Sequence, residues 1–344
     1  MSDRMLALPL GAALALALAA PAGAVTLEWV AIGAPGNAPD VASNCNAASC
    51  GAVSHEYEIG RYEITNDQYA EFLNAVAADD PNGLYNPAMA SDARGGIVRA
   101  GTPGTYTYSV KNGRGGDPVV FVSLWDAMRF ANWLQNGQPI GAQGPETTET
   151  GSYRLTEPVT PSNPIVRARG AHFVVPNENE WYKAAYYDPA TQSYFHYPTG
   201  SDAMPGSDAP PGGVNSANYY DGTFAKTGSA TFVDGTNYLT PVGAYSSSPS
   251  PFGTFDQGGN VAEWTERIRP GGFRRTRGGS WDNLVTNLGA PAKGLTEPDT
   301  EADFLGFRVA AVPEPAGAAA AAVLALGALA ARRARGAART PRGR

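Results

Sequence analysis

Apolar side chains recur three and four residues apart in three segments, each directly behind a residue that favours the start of a helix. Tyr69, Phe72, Leu73 and Val76 form one such apolar face. This spacing predicts an amphipathic helix with its apolar face in the core. In each segment a Ser, Thr or Asn lies three residues before a side chain that can close a capping box. The three predicted capping pairs are Thr65 with Gln68, Ser123 with Asp126, and Asn177 with Glu180.

Strand signals are shorter and fewer. Residues 57–64, YEIGRYEI, alternate between apolar and polar positions, and residues 173–175, FVV, form a short apolar run. Both patterns predict strands. The chain contains 41 glycines and 28 prolines in 344 residues, so turns interrupt it every few positions. We therefore expect one large α+β domain with little regular secondary structure.

The two ends of the chain differ from its middle. Residues 1–24 combine Arg4, an apolar run and a small-residue site, which predicts a secretory signal peptide. Residues 313–344 begin Pro-Glu-Pro, continue with small apolar residues and end with six arginines. This order resembles the PEP-CTERM sorting tail that bacterial exosortase systems recognise. The alternative is an alanine-rich membrane anchor with its arginines on the inner side. Both interpretations predict an exported domain at residues 25–312, in the envelope, on the surface or in the extracellular matrix of a bacterium.

The net charge of the middle of the chain limits the classes of binding partner that we expect. Residues 25–312 carry 18 basic and 30 acidic side chains, so their net charge is about −12. Such a body argues against nucleic acid as a partner and is compatible with divalent cations.

Six sequence blocks occur in a fixed order between about Leu27 and Val309. Together they resemble the formylglycine-generating enzyme family, also called sulfatase-modifying factors. The resemblance implies a fold related to C-type lectins. The blocks are YEIGRYEITNDQYAEFLNAVA, VVFVSLWDAMRFANWL, FVVPNENEWYKAAYY, TPVGAYSSSPSPFGTFDQGGNVAEW, RTRGGSWDN and GFR.

The same resemblance implies which residues should perform the family's chemistry. Its enzymes oxidise a cysteine of a target sulfatase to formylglycine with two cysteines that hold copper, and thiolates suit Cu(I). Those positions are Asn283 and Leu288 here, and an aromatic residue of the substrate groove is Ala262. We therefore do not expect bound copper or the family's oxidase activity.

The resemblance also implies two structural calcium sites. This chain has acidic or amide side chains at the positions that supply their side-chain ligands. Ordinary turn and capping chemistry is the alternative for these residues. The first predicted set is Asn218, Tyr219, Asp234 and Thr236, and the second is Asp256, Gly259, Val261 and Glu263.

Cys45 and Cys50 are the chain's two cysteines. Their short spacing and the expected export favour a disulfide, and a relocated copper or redox pair is the alternative.

Two classes of function follow. The first is an exported binding or structural module, stabilised by calcium, whose partners are exosortase-type machinery at the tail and an extracellular polysaccharide or surface protein. The second is an enzyme with altered chemistry in a groove near Ser280, Trp281 and Asp282, where Asp282 would act as an acid or base.

Overall fold

The computed structural model describes residues 24–41, 50–156 and 165–313. Apart from their boundary residues, the expected signal peptide and sorting tail lie outside these ranges, and so does Cys45. Within them, no helix is both long enough and apolar enough to cross a membrane.

All three predicted capping boxes are present. Thr65, Ser123 and Asn177 each accept a hydrogen bond from the backbone of the third helical residue, whose side chain in turn accepts one from the cap backbone. These reciprocal bonds satisfy donors that a helix start otherwise leaves unpaired. The α-helices are α1 (Asn66–Val76), α2 (Ala88–Ser91), α3 (Leu124–Gln135) and α4 (Glu178–Tyr186).

Short strands form two four-stranded sheets and two hairpins. The first sheet has the order β1-β2-β12-β5 and is antiparallel. The second has the order β10-β9-β8-β11, with β11 parallel to β8. The strands are β1 (Trp29–Ile32), β2 (Tyr57–Gly60), β3 (Ile97–Ala100), β4 (Thr107–Val110), β5 (Phe173–Val174), β6 (Tyr187–Asp188), β7 (Ser193–Tyr194), β8 (Ala262–Ile268), β9 (Arg274–Arg277), β10 (Gly294–Thr296), β11 (Leu305–Gly306) and β12 (Ala310–Ala311).

The strand predicted at residues 57–64 was too long, because β2 ends at Gly60. Beyond it, the Ile64 amide donates to the carbonyl of Phe307 instead of continuing the ladder with β1. The chain turns there because Glu63 is directed into the interior, where its carboxylate accepts from the Asn260 side chain at 3.0 Å. A distant partner thus overrides the local alternation.

The main core joins α1 to α3 and to the end of the domain. Phe72 and Phe130 pack with ring centroids 5.3 Å apart, and Phe130 packs edge-on against Phe307 at 5.5 Å. Aromatic pairs in this geometry are favourable beyond their buried area. The predicted apolar face of α1 is therefore a core face, as expected.

A buried ion pair lies beside this core. The guanidinium of Arg308 donates to both carboxylate oxygens of Glu263, at 2.6 and 2.7 Å, and both side chains are fully buried. Arg308 also donates to the carbonyls of Gly60 at 3.0 Å and Phe255 at 2.9 Å. One side chain therefore holds β2, β8 and the loop before β8 together.

Replacing Arg308 with Met should lower the free energy of unfolding by roughly 3–5 kcal/mol, because Glu263 would keep a buried charge without its partner. Urea unfolding at pH 7.5 measures this loss. Arg61 with Glu28, at 3.4 Å and exposed on both sides, is the matched pair, and Arg61→Met should cost about 1 kcal/mol or less. A similar loss in both variants would contradict the central role of Arg308.

Candidate functional site

The groove expected from the sequence is a cavity of about 240 Å³ between the second sheet and the loop that follows β9. Ala262 on β8 and Asn283 in the loop both line it. The structure thus brings together the predicted groove position and the first predicted cysteine position. Thr276, Thr296, Asn287 and Lys293 provide most of the polar wall.

The Gly-Gly-Ser turn shapes one side of this cavity. Gly278 and Gly279 have φ values of +95° and +68°, a region that favours glycine. A Cβ on Gly279 would lie 3.0 Å from the Cβ of Asn287. The hydroxyl of Ser280, which is buried, donates to Asp282 at 2.6 Å. Ser280 therefore stabilises the turn.

Trp281 and Asp282 lie on opposite sides of the same loop. Trp281 is buried and stacks on Tyr238 with ring centroids 4.9 Å apart and planes 6° from parallel. Asp282 is exposed and accepts from Ser280 and from the Asn283 amide. The cavity wall is formed by Gly278, Gly279 and Asn283, and the three predicted groove residues adjoin it without lining it.

The second cysteine position is part of the core. Leu288 is fully buried and packs with Tyr197, Ala217 and Tyr219. Its carbonyl accepts from the Tyr186 hydroxyl at 2.9 Å. Asn283 and Leu288 supply no thiolate, and the described residues that line the cavity include no cysteine, histidine or carboxylate.

A histidine beside a carboxylate does occur, but elsewhere. His55 lies 3.2 Å from Glu180 at the start of α4. Burial alone would raise the pKa of Glu180, but hydrogen bonds from Arg167 and His55 outweigh it and bring that pKa to about 2. A carboxylate held in its charged form by two donors is a poor proton carrier at neutral pH. This pair stabilises the helix start.

The residues of the first predicted calcium set make hydrogen bonds and an ion pair with other described residues. Asn218 is buried, and its amide donates to the Tyr238 carbonyl and to Asn260. The side chain of Asp234 is 89% exposed and pairs with Arg94 at 3.4 Å. The Tyr219 carbonyl accepts from Ser207, and the Thr236 amide donates to Val233. These contacts are compatible with ordinary turns and loops, and calcium at the first set stays a prediction.

Residues of the second predicted set lie close together. Asp256 is partly buried in its loop and accepts from the Gly243 amide. Glu263 accepts from Arg308 and from the indole of Trp181 at 2.8 Å. The Gly259 amide donates to Gly278, and the Val261 amide faces Glu63. The loop brings two carboxylates of the set near Glu63, which the sequence did not predict as a member.

Negative charge exceeds positive charge in this cluster. Among the groups acting on Glu63 and Asp256, Arg308 is the only cation, facing Glu63, Asp256 and Glu263. Burial raises the pKa of Asp256 to about 6 and, helped by the other two carboxylates, raises the pKa of Glu63 well above its ordinary value. No three His, Cys, Asp or Glu side chains in the described ranges are arranged to hold a metal ion. A cation here would also need the carbonyls of Gly259 and Val261.

Cys50 is disulfide-bonded. Its expected partner, Cys45, lies outside the described residues. The disulfide prediction is thus supported at the one cysteine that the structure describes.

A larger cavity of about 540 Å³ lies at the first sheet, between β1, β2 and the chain near Pro313. Its lining includes Tyr57 and His172 but none of the residues predicted for a site.

The family model described as "Sulfatase-modifying factor enzyme 1-like domain" matches residues 21–312. The chain belongs to this family. The match covers all the described elements, and the α+β fold with few helices agrees with the expectation from the sequence. The sequence blocks at residues 258–264 and 306–308 contain Glu263 and Arg308, which form the buried ion pair.

Two similar proteins have enzyme names. The chain is 27% identical over 279 residues to the "Formylglycine-generating enzyme" of Thermomonospora curvata, covering 82% of that protein. It is 23% identical over 279 residues to "Hercynine oxygenase" of Mycobacterium tuberculosis, of which it spans about half, 52%. Each match covers 74% of this chain. The solved structure titled "Crystal Structure of CarF" matches 84% of this chain and 99% of its own, with a TM-score of 0.50 and 22% identity. That likeness shows a shared fold.

Arginines in and around β9 were missed by the sequence reasoning. Residues 267–277 contain five arginines, a visible cluster in an acidic chain. The net charge of the chain does not reveal this cluster, because net charge sums over the whole molecule. Arg308 and Glu63 were also missed, since nothing local in the sequence pairs them with Glu263.

Asp256→Asn tests the raised pKa of the Asp256 carboxyl. Because the folded-state pKa of Asp256 is raised, the wild-type protein loses stability as pH rises from about 4 to about 6, while the amide cannot ionise. Asn also tolerates the left-handed φ of +59° at this position. From pH 4 to pH 7.5 the free energy of unfolding should shift in favour of the variant by up to about 3 kcal/mol.

Urea unfolding in the presence of a chelator measures this shift. Asp79→Asn, which removes an exposed carboxylate, is the control, and its difference in stability from wild type should change little with pH. A difference between Asp256→Asn and wild type that stays constant with pH would rule out the raised pKa.

Proposed function

We propose that residues 25–312 form an exported, non-catalytic binding or structural module of the sulfatase-modifying factor family. This proposal rests on the residues that occupy the two predicted cysteine positions and on their contacts. Asn283 bonds to Asp282 at the cavity wall, and Leu288 is packed in the core. A copper site made of two thiolates has no donors at these places.

Loss of the thiolates is accompanied by a change in the groove. Ala262 stands where the family resemblance implies an aromatic residue, so this cavity-lining position contributes no ring. A target peptide would lose both its reaction partner and part of its binding surface. An enzyme with altered chemistry, the alternative, would need an acid or base in this cavity. Asp282 adjoins the cavity but is directed to Ser280 and Asn283.

Calcium at the second set is part of the proposal. Glu63, Asp256 and Glu263 together carry two more negative charges than Arg308 neutralises when all are ionised. Hard cations prefer oxygen ligands, and the loop offers the side chain of Asp256 and two carbonyls. Glu263 would bind calcium while it also accepts from Arg308 and Trp181. The first set supports calcium less well, because Asp234 is directed to Arg94.

Export and sorting complete the proposal. The ends of the chain would direct the module out of the cytoplasm and to exosortase-type machinery, leaving it in the envelope or extracellular matrix. A polysaccharide or a surface protein would be its partner there.

Elemental analysis of the purified protein tests the metal content directly. We expect about one calcium per chain, no stoichiometric copper or iron, and no oxidation of cysteine-containing peptides. Stoichiometric copper or iron, or turnover of such a peptide, would overturn the non-catalytic assignment.

Calcium should raise the melting temperature at pH 7.5, because a ligand that binds only the folded state stabilises it. Asp256→Asn should abolish most of this rise, and Asp79→Asn should retain it. Calorimetry with calcium or with chelator measures both variants. An equal rise in Asp256→Asn would remove calcium from the second set.

A further inference from the structure

Five cationic side chains lie within electrostatic range of one another where β9 and β10 meet, and two of them pair with one carboxylate. Arg267 and Arg277 lie 3.9 and 2.6 Å from Glu178. The remaining three make no ion pair with any described residue. We call this group the basic cluster, and its members are Arg267, Arg269, Arg275, Arg277 and Lys293.

The members of the basic cluster differ in how many of their hydrogen-bond donors have a partner. Arg277 is fixed, because it donates to Glu178 and to the carbonyls of Ala290 and Ala292. Arg275 donates to Gly294 at 3.3 Å, and its buried Nε has no partner. Burial, and then the charges of Arg277 and Arg275, lower the pKa of Lys293. Several cations are thus held close together without neutralisation, which costs free energy in the free protein.

The basic cluster continues into the cavity described above. Lys293 belongs to both, and the cavity wall beyond it presents the hydroxyls of Thr276 and Thr296 and the amides of Asn283 and Asn287. Phe304, 36% exposed, adds one apolar ring. The combined surface offers cations at one end, neutral hydrogen-bonding groups along its length and a ring for an apolar face.

This combination of cations, neutral hydrogen-bonding groups and one aromatic ring favours some classes of polyanion over others. The body carries about −12, so an anion is attracted only where cations are concentrated. Hydroxyls and amides match the hydroxyl groups of sugars, and carboxylates pair with Lys and Arg. Single-stranded nucleic acid relies on successive stacking rings, and Phe304 is the only aromatic residue among the described cavity-lining residues.

We propose that the basic cluster and the adjoining cavity bind an acidic polysaccharide, a polymer of sugars that carry carboxylates. The inference rests on the proposed function, because it assigns a ligand class to the binding module. Lys293 and Arg269 would pair with carboxylates, and Thr296 and Asn287 would contact sugar hydroxyls.

Titration calorimetry with oligogalacturonate tests the proposal on the whole purified protein. Calcium is not added, because this ligand itself binds calcium. Binding should weaken when sodium chloride is raised from 50 to 200 mM, and dextran of equal length should not bind. The double variant Lys293→Gln and Arg269→Gln should weaken binding about tenfold. Arg154→Gln, which removes an exposed arginine that contacts Thr156, is the matched control and should bind like wild type.

Thr296→Val provides a second, uncharged test. It should weaken oligogalacturonate binding while leaving the melting temperature within a few degrees, because it removes one partly exposed hydroxyl. No binding by wild type, equal losses in Arg154→Gln and the double variant, or tighter binding of single-stranded DNA would each overturn the proposal. Metal analysis of the same preparation separates the two hypotheses. Copper with peptide oxidation would refute the non-catalytic function, whereas no binding and no copper would refute only the ligand class.

Discussion

The buried pair between Arg308 and Glu263 is the constraint on which the rest of the domain depends. Both side chains are fully buried, so neither charge can be solvated if the other moves. Arg308 also bonds to carbonyls at Gly60 and Phe255. With few long helices or strands, the fold relies on a side chain to fix segments that secondary structure would otherwise align.

Around this pair, neutral groups stabilise the excess negative charge through hydrogen bonds. The Asn260 amide donates to Glu63 and to the Thr240 carbonyl, while its oxygen accepts from Asn218 and the Thr240 amide. Asn260 has a φ of +58°, which Asn tolerates better than most residues. The same residue therefore supports the loop before β8, links it to Asn218 and stabilises a buried carboxylate. This explains why the block GGNVAEW needs Asn between its glycines and its acid.

Features that depend on residues close in sequence could be predicted, whereas features that depend on distant contacts could not. The three helix starts were predictable, because a capping box involves residues three apart. The length of β2 was not, because Phe307, more than 240 residues away, takes the amide of Ile64. The first calcium set shows the same limit. Asn218 and Asp234 have suitable ligand atoms, but the bond from the Asn218 side-chain nitrogen to Asn260 and the pairing of Asp234 with Arg94 join segments distant in sequence and could not be predicted locally. Cavity residues 276–296 were predictable only as a region, from the family blocks.

Strand geometry explains how the groove can change while the scaffold persists. Successive residues of a strand face opposite sides. On β8, Ala262 lines the cavity, and its neighbour Glu263 faces Arg308 on the inner side. A substitution at residue 262 thus alters the groove without touching the ion pair that holds the fold. The reverse does not hold, since moving Glu263 would unpair a buried arginine. One strand can therefore keep the residue that holds the fold while the residue that lines the groove varies.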